Sequence, residues 1–281
     1  MNRLENVAIV GVGLMGGSIG LTLKKLNLAK KITGIGRTQV SLRAARRVGA
    51  VTNTTIDLPR GVADAQLVVV CTPVGQIVHH VRAVAQHAPE GTLITDVGSA
   101  KRIIVAELDD QLPRGCRFLG SHPLAGSEKA GASNADAELL DGRMVVLTPT
   151  RNTKAEDYDL LSYFWQALGS VVVKMPADEH DRVLAMTSHL PHMAASALAA
   201  TLPEKYFRFC GTGMHDTSRL AAADPELWMQ IIDLNRDHVL TALEQYGAKL
   251  AALHAAIRDD EEDALKQFLN TAKKNRDALG S

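Results

Sequence analysis

The stretch that decides the fold is Val7-Ala8-Ile9-Val10-Gly11-Val12-Gly13-Leu14-Met15-Gly16. It reads as a short apolar strand that runs through a GxGxxG turn into a helix over residues 14–26. Each glycine has its own physical task. Gly11 permits the tight turn, Gly13 lets backbone approach a pyrophosphate, and Gly16 lets helix and strand pack closely. The free N–H groups at the helix N-terminus, around Leu14 and Met15, then face the phosphates. A lone GxGxxG is weak evidence, so the surrounding pattern has to support it.

It does. Strands are expected over residues 32–35, 67–71, 93–95, 117–120 and 144–147, and helices over 41–48, 75–87 and 100–111. Alternating strands and helices imply parallel strands with crossover helices, because parallel neighbours cannot be joined by a hairpin. Residues 171–173, after an amphipathic stretch at 156–168, are expected to add a last strand to the same sheet. Beyond Pro176 the texture is Ala-, Leu- and Met-rich at helical spacing, with helices over 184–202, 225–257 and 261–279 and a kink at Pro191. The fold class is therefore α/β. A Rossmann-type doubly wound parallel sheet (residues 1–175) is followed by an all-α domain (residues 176–281), apolar on more than one side and expected to pack against a second copy as a homodimer.

Composition narrows the functional classes. Lys+Arg and Asp+Glu are 31 each in 281 residues, so nothing suggests nucleic acid or an anionic membrane as partner. The apolar start at 7–21 is broken by glycines and lacks the layout of a signal peptide or membrane span. Cys71, Cys116 and Cys210 are far apart and show no ligand spacing, so neither a disulfide framework nor a metal site is expected. The location expected is cytoplasmic.

The second strand bears on the cofactor. NAD sites commonly place Asp or Glu about 20 residues beyond the glycines to accept from the ribose 2′-hydroxyl. Here the strand runs into Gly36-Arg37-Thr38 with no carboxylate. Arg37 could pair with a 2′-phosphate and Thr38 could donate to it, which favours NADP, with NAD still admissible.

Ligands gather at the carboxyl ends of parallel strands, so Thr72-Pro73 and Asp96-Val97-Gly98-Ser99 are expected to line the nicotinamide half of the site. Ser99 can equally cap the helix that follows. Next comes Gly120-Ser121-His122-Pro123-Leu124-Ala125-Gly126-Ser127-Glu128-Lys129-Ala130-Gly131. Oxidising an alcohol requires a group to take the hydroxyl proton as hydride leaves carbon, and His122 is the best placed of the ten histidines.

The His122-to-Gly131 loop resembles the signature of the prephenate and arogenate dehydrogenases. Asp96-Val97-Gly98-Ser99-Ala100-Lys101, Ser188-His189-Leu190-Pro191-His192 and Asp216-Thr217-Ser218-Arg219 resemble it too, as do Asp224-Pro225 and Trp228. These motifs fall in the family's order from Gly11 to Trp228. The resemblance implies active sites in a cleft between a nucleotide domain and a helical dimerisation domain. It also implies oxidation at ring C4 of a small cyclohexadienyl substrate, coupled to loss of the C1 carboxylate as CO2. Under it His122 matches the histidine that bonds the C4 hydroxyl and removes its proton. Ser99 matches a serine on the same hydroxyl, and Arg219 matches the arginine that binds a substrate carboxylate. His189, His192, Ser127, Glu128 and Trp228 match pocket positions.

Two departures stand out. The acid after the second strand is missing, as in NADP-preferring members, and His215 stands where Lys or Arg is expected to reach the neighbouring subunit's substrate. The sequence stops soon after the helical half, so a fused chorismate mutase or sensing domain is not expected. Two rival readings remain: a β-hydroxyacid dehydrogenase, which would want a catalytic lysine in the helical half, and a non-catalytic NADP-binding dimer.

Overall fold

Strand formation follows the β-branched runs. In the computed structural model, which describes residues 3–109, 111–125 and 129–280, six strands form one parallel sheet. They are β1 (Leu4–Val10), β2 (Ala29–Ile35), β3 (Asn53–Thr55), β4 (Leu67–Val70), β5 (Leu93–Asp96) and β6 (Arg117–Phe118). Their spatial order is β3-β2-β1-β4-β5-β6. The order reverses between β1 and β4, where the chain has crossed from one side of β1 to the other. Side chains alternate along β1: Val7 and Ile9 join the core on one face, Ala8 and Val10 the core on the other. Helices α1 (Leu14–Lys25) and α2 (Gln39–Arg47) cover the first face. Helices α3 (Leu58–Val62), α4 (Ile77–His87) and α5 (Arg102–Leu108) cover the second. The sheet is thus doubly wound, as expected.

The expected strand over 117–120 is in fact two elements. β6 ends at Phe118, and β7 (Gly120–Pro123) turns away to pair antiparallel with β8 (Met144–Thr148). A Cβ at Gly120 would lie 2.6 Å from Thr148 Oγ1, so glycine is what lets the two strands approach here. After α6 (Ala155–Ala167), β9 (Val171–Lys174) pairs parallel to β8. The strands expected to extend the main sheet therefore form a separate three-stranded sheet, β7-β8-β9. α6 closes this sheet onto the first core through Leu161, Phe164 and Trp165.

The helical half begins with α7 (Ala177–Leu184), which continues through a π turn, Ala185–His189, into α8 (Leu190–Ala200). Pro191 has no N–H to give the carbonyl four residues back, and the wider turn lies just ahead of it, where a kink was expected. α9 (Thr212–Ser218), α10 (Pro225–Leu234), α11 (Arg236–Arg258) and α12 (Glu262–Ala278) complete the chain. The single helix expected over 225–257 is broken at Asn235 (φ −127°, ψ 29°), whose buried side chain bonds outside its own helix. The buried apolar cluster of this half is small, Ala185, Val239 and Ala242, and α12 buries no residue. Among the described residues no helix is long and apolar enough to cross a membrane.

Candidate active site

The carboxyl edge of the sheet, at the reversal between β1 and β4, holds the glycine turn. Gly11 has φ +93°, and a Cβ there would lie 2.7 Å from the Cys71 carbonyl oxygen. A Cβ on Gly16 would lie 2.2 Å from the Gly11 carbonyl oxygen. One on Gly13 would meet nothing within 4 Å. Two glycines are thus required by the protein itself, while Gly13 leaves room for something else. α1 starts here with no side-chain cap and no acidic residue in its first turn, so the N–H groups of Leu14 and Met15 are available to an anion. Across the crevice, Thr72 Oγ1 is shielded from solvent and has no hydrogen-bond partner among the described residues. An open cradle, a bare helix N-terminus and an orphaned hydroxyl fit a dinucleotide.

At the end of β2, Gly36 is half-buried and Arg37 is exposed. Thr38 caps α2, its Oγ1 accepting from the Ser41 N–H at 3.2 Å. Pro73 is exposed beside Thr72 and opens the turn into α4. Asp96 and Gly98, expected to touch the cofactor, are placed differently. Asp96 is fully buried; its carboxylate takes the Lys101 ammonium, the Gly98 N–H (2.8 Å) and the Ser121 N–H (3.1 Å). It holds three consecutive pieces of the rim together, and buried charge demands such pairing. Gly98 is packed against Ile77 and is equally part of this brace. Ser99 caps nothing: α5 begins at Arg102, and its first N–H groups are taken by Asp181 of α7.

The Ser121–Asp96 bond sets β7 beside β5, so His122 follows next along the rim. Its Nδ1 lies 2.9 Å from His180 Nε2, and His180 Nδ1 lies 2.7 Å from Asp181 Oδ1. Asp181 Oδ1 also accepts from the Lys101 N–H (2.8 Å), and Oδ2 from the Arg102 N–H (2.9 Å). Burial holds the His122 imidazolium well below the ordinary histidine range, aided by His180, Lys101 and His189. The expectation of a histidine titrating near neutrality is corrected in direction: burial favours the neutral ring.

The helical half adds the other side. His189 Nδ1 meets Asn235 Nδ2 at 3.1 Å, and Asn235 Nδ2 also donates to the Asp181 carbonyl at 2.7 Å. His192 stacks on Trp228, rings 3.6 Å apart and 6° from parallel, while His189 meets the same indole edge-on. Trp228 packs in turn on the core under α4, and the Gly75 N–H donates to Gln230 Oε1 at 3.2 Å, so α10 is tied to the turn after β4. Arg219 opens a short 3₁₀ turn packed on α8. Arg219 and His215 are exposed and make no ion pair with described residues. Ser127 and Glu128 lie outside the described residues.

His180, Asp181, Asn235 and Lys101 were not singled out in the sequence. His180 and Asp181 sit in Asp178-Glu179-His180-Asp181, which reads as a solvated helix start, yet both are fully buried. The available signal was Asn235 inside an otherwise helical run.

The models of two domains match this chain: "Prephenate dehydrogenase, nucleotide-binding domain" over residues 19–174 and "Prephenate dehydrogenase, dimerization domain" over 176–271. The cyclohexadienyl dehydrogenase of Zymomonas mobilis is 32% identical over 286 residues, covering 99% of this chain and 97% of that protein. The crystal structure of A. aeolicus prephenate dehydrogenase in complex with hydroxyphenyl propionate and NAD+ superposes with a TM-score of 0.93 at 31% identity, covering 99% of each chain. Synechocystis arogenate dehydrogenase gives 0.84 at 27%, covering 98% of this chain and 99% of that one. With both domain models spanning most of its length, this chain belongs to the prephenate dehydrogenase family of pyridine-nucleotide-dependent oxidoreductases.

Proposed function

We propose that this chain, as a homodimer, oxidatively decarboxylates arogenate and/or prephenate to tyrosine or 4-hydroxyphenylpyruvate, preferring NADP over NAD. One observation carries the reading. His122 is bonded through Nδ1 to a buried histidine, which leaves Nε2 as the free basic nitrogen on the rim that holds the glycine turn.

When bound, the nicotinamide supplies the acceptor for the hydride from ring C4. The side chains do the rest. His122 Nε2 takes the C4 hydroxyl proton, and Ser99, with no cap to make, shares that hydroxyl. Arg219 holds a substrate carboxylate by its fork, and the His192–Trp228 stack walls the ring. Loss of hydride and of CO2 both lead to an aromatic ring, so positioning and one proton are what the protein must provide. His215 stands on α9, exposed in one chain, where it would reach the neighbouring cleft in the proposed dimer.

NADP preference is supported at α2. No carboxylate follows β2, Arg37 has no ionic partner among described residues, and the Thr38 and Ser41 hydroxyls lie 3.0 Å apart at a helix N-terminus. The dimer is supported by the thin core of the helical half and by the dimerization-domain match. The family assignment sets aside the β-hydroxyacid reading.

The test is direct. Purified protein mixed with NADP+ or NAD+ and prephenate or arogenate is followed at the absorbance of reduced cofactor. Turnover is expected, with NADP+ the better oxidant. His122→Asn should lower kcat by about 10²–10⁴-fold while cofactor KM changes little. Unchanged kcat in that variant refutes the base assignment, and reduction of neither cofactor by either ring refutes the activity.

A further inference from the structure

The three-membered chain His122–His180–Asp181 does more than hold a ring in place. Asp181 accepts three hydrogen bonds, from His180 Nδ1 and from the N–H groups of Lys101 and Arg102, which is the pattern of a carboxylate. His180 Nδ1 therefore carries a hydrogen. In a neutral His180 the other nitrogen, Nε2, is an acceptor, and the only hydrogen available to the 2.9 Å contact is on His122 Nδ1. The bonding pattern sets both tautomers, one after the other, from a carboxylate supplied by the helical half.

The geometry points to His180 and Asp181 as positioning residues that form a two-imidazole proton store behind His122. As His122 Nε2 accepts the substrate hydroxyl proton, His122 Nδ1 passes its own proton to His180 Nε2. The N–H bond on His122 Nδ1 breaks, one forms on His180 Nε2, and His180 becomes an imidazolium whose Nδ1–H stays on Asp181. No electrons move along the chain.

The balance of the proposed reaction makes this arrangement apt. C4 gives up a hydride and C1 gives up CO2. The electron pair released by decarboxylation restores the ring and charges the C4 oxygen, which must regain a proton to become the phenol. No net proton is released, so a buried relay with no exit to solvent suffices: the proton goes in while hydride leaves and comes back as the ring aromatises. Charge placement gives the reason for a second ring. A cation on His122 is disfavoured by burial and lies near the Lys101 ammonium, whereas on His180, 2.7 Å from Asp181, it is paired. His180 and Asp181 are both wholly shielded from solvent, which strengthens that pairing.

This inference rests on the proposed activity, so its test needs a readout that does not. Protein carrying ¹⁵N-labelled histidine is examined by NMR at pH 8, with and without bound cofactor. Both His122 and His180 are expected as Nδ1–H tautomers, and His122 found as the Nε2–H tautomer overturns the relay whatever the enzyme turns over. His180→Gln keeps an acceptor for the His122 Nδ1–H but cannot take a proton. With thermal stability and cofactor affinity near those of the parent, it should leave KM close to unchanged and lower kcat by about ten- to a hundredfold. Its proton inventory in H2O–D2O mixtures should become linear where that of the parent is curved. A purely orienting role predicts that His180→Gln keeps the parental kcat and inventory, and that result would overturn the proposal. Should the variant not fold, the tautomers of the parent protein decide.

Discussion

His189 is 1% exposed, accepts from Asn235 through Nδ1, and has no partner at Nε2 among the described residues. Burial pushes its imidazolium form down to about 4. In the unfolded chain the same ring titrates at its ordinary value, about 6.5. Between those values the unfolded state binds a proton that the folded state does not. Stability is therefore complete above about pH 6.5 and is lost as pH falls toward 4, by up to about 3 kcal/mol for this ring. His122, also depressed, acts in the same direction. Urea unfolding at fixed protein concentration should show a midpoint that drops between pH 6.5 and 4.5, with a shallower slope in His189→Gln; identical slopes would show that this ring is not buried neutral. The sequence marked His122, His189 and His192 through the motifs around them. It could not mark His180, because burial by another element is not written into a residue's neighbours in the chain.

The helix N-terminus at α5 is where local and tertiary rules compete. Ser99 stands before a helical pattern, as a capping residue should, but the chain makes one more turn and Asp181 reaches across to take the Lys101 and Arg102 N–H groups. Ser99→Ala should accordingly leave the unfolding free energy within about 0.5 kcal/mol of the parent, while the role proposed for its hydroxyl on substrate predicts a lower kcat. A loss near 1 kcal/mol, the usual worth of a cap, would return Ser99 to a structural role. Elements with a clean period were legible in the sequence: β1, β2, β4, β5 and the helices α1, α2 and α4, whereas the five-residue α3 was too short to show one. β3 was missed because Asn53-Thr54-Thr55 is a polar edge strand with no apolar alternation. The second sheet was assigned to the first because pairing direction depends on where a strand goes, and Gly120 sends it away.

At the scale of the molecule the two halves are unequally finished. The sheet has a large core on each face, whereas the helical half buries little, and α11 carries Tyr246, Leu250, Leu253 and Ile257 at spacings of four, three and four. That spacing puts them on one stripe of the helix, and Leu250 and Ile257 are 47% and 61% exposed in a single chain. A stripe of this kind, about 18 Å long on the C-terminal half of a 23-residue helix, is the side that a second copy would cover. Analytical ultracentrifugation should return twice the 30.2 kDa of one chain at micromolar concentration. Leu250→Glu would bury a charge against the partner's apolar stripe and should shift the mass toward one chain. If exposed His215 completes the neighbour's cleft, turnover should fall with the dimer, and do so in proportion to dissociation as the protein is diluted. A Leu250→Glu protein that is monomeric yet fully active would place every catalytic contact within one chain, and a parent protein that is monomeric at those concentrations would remove the shared site altogether.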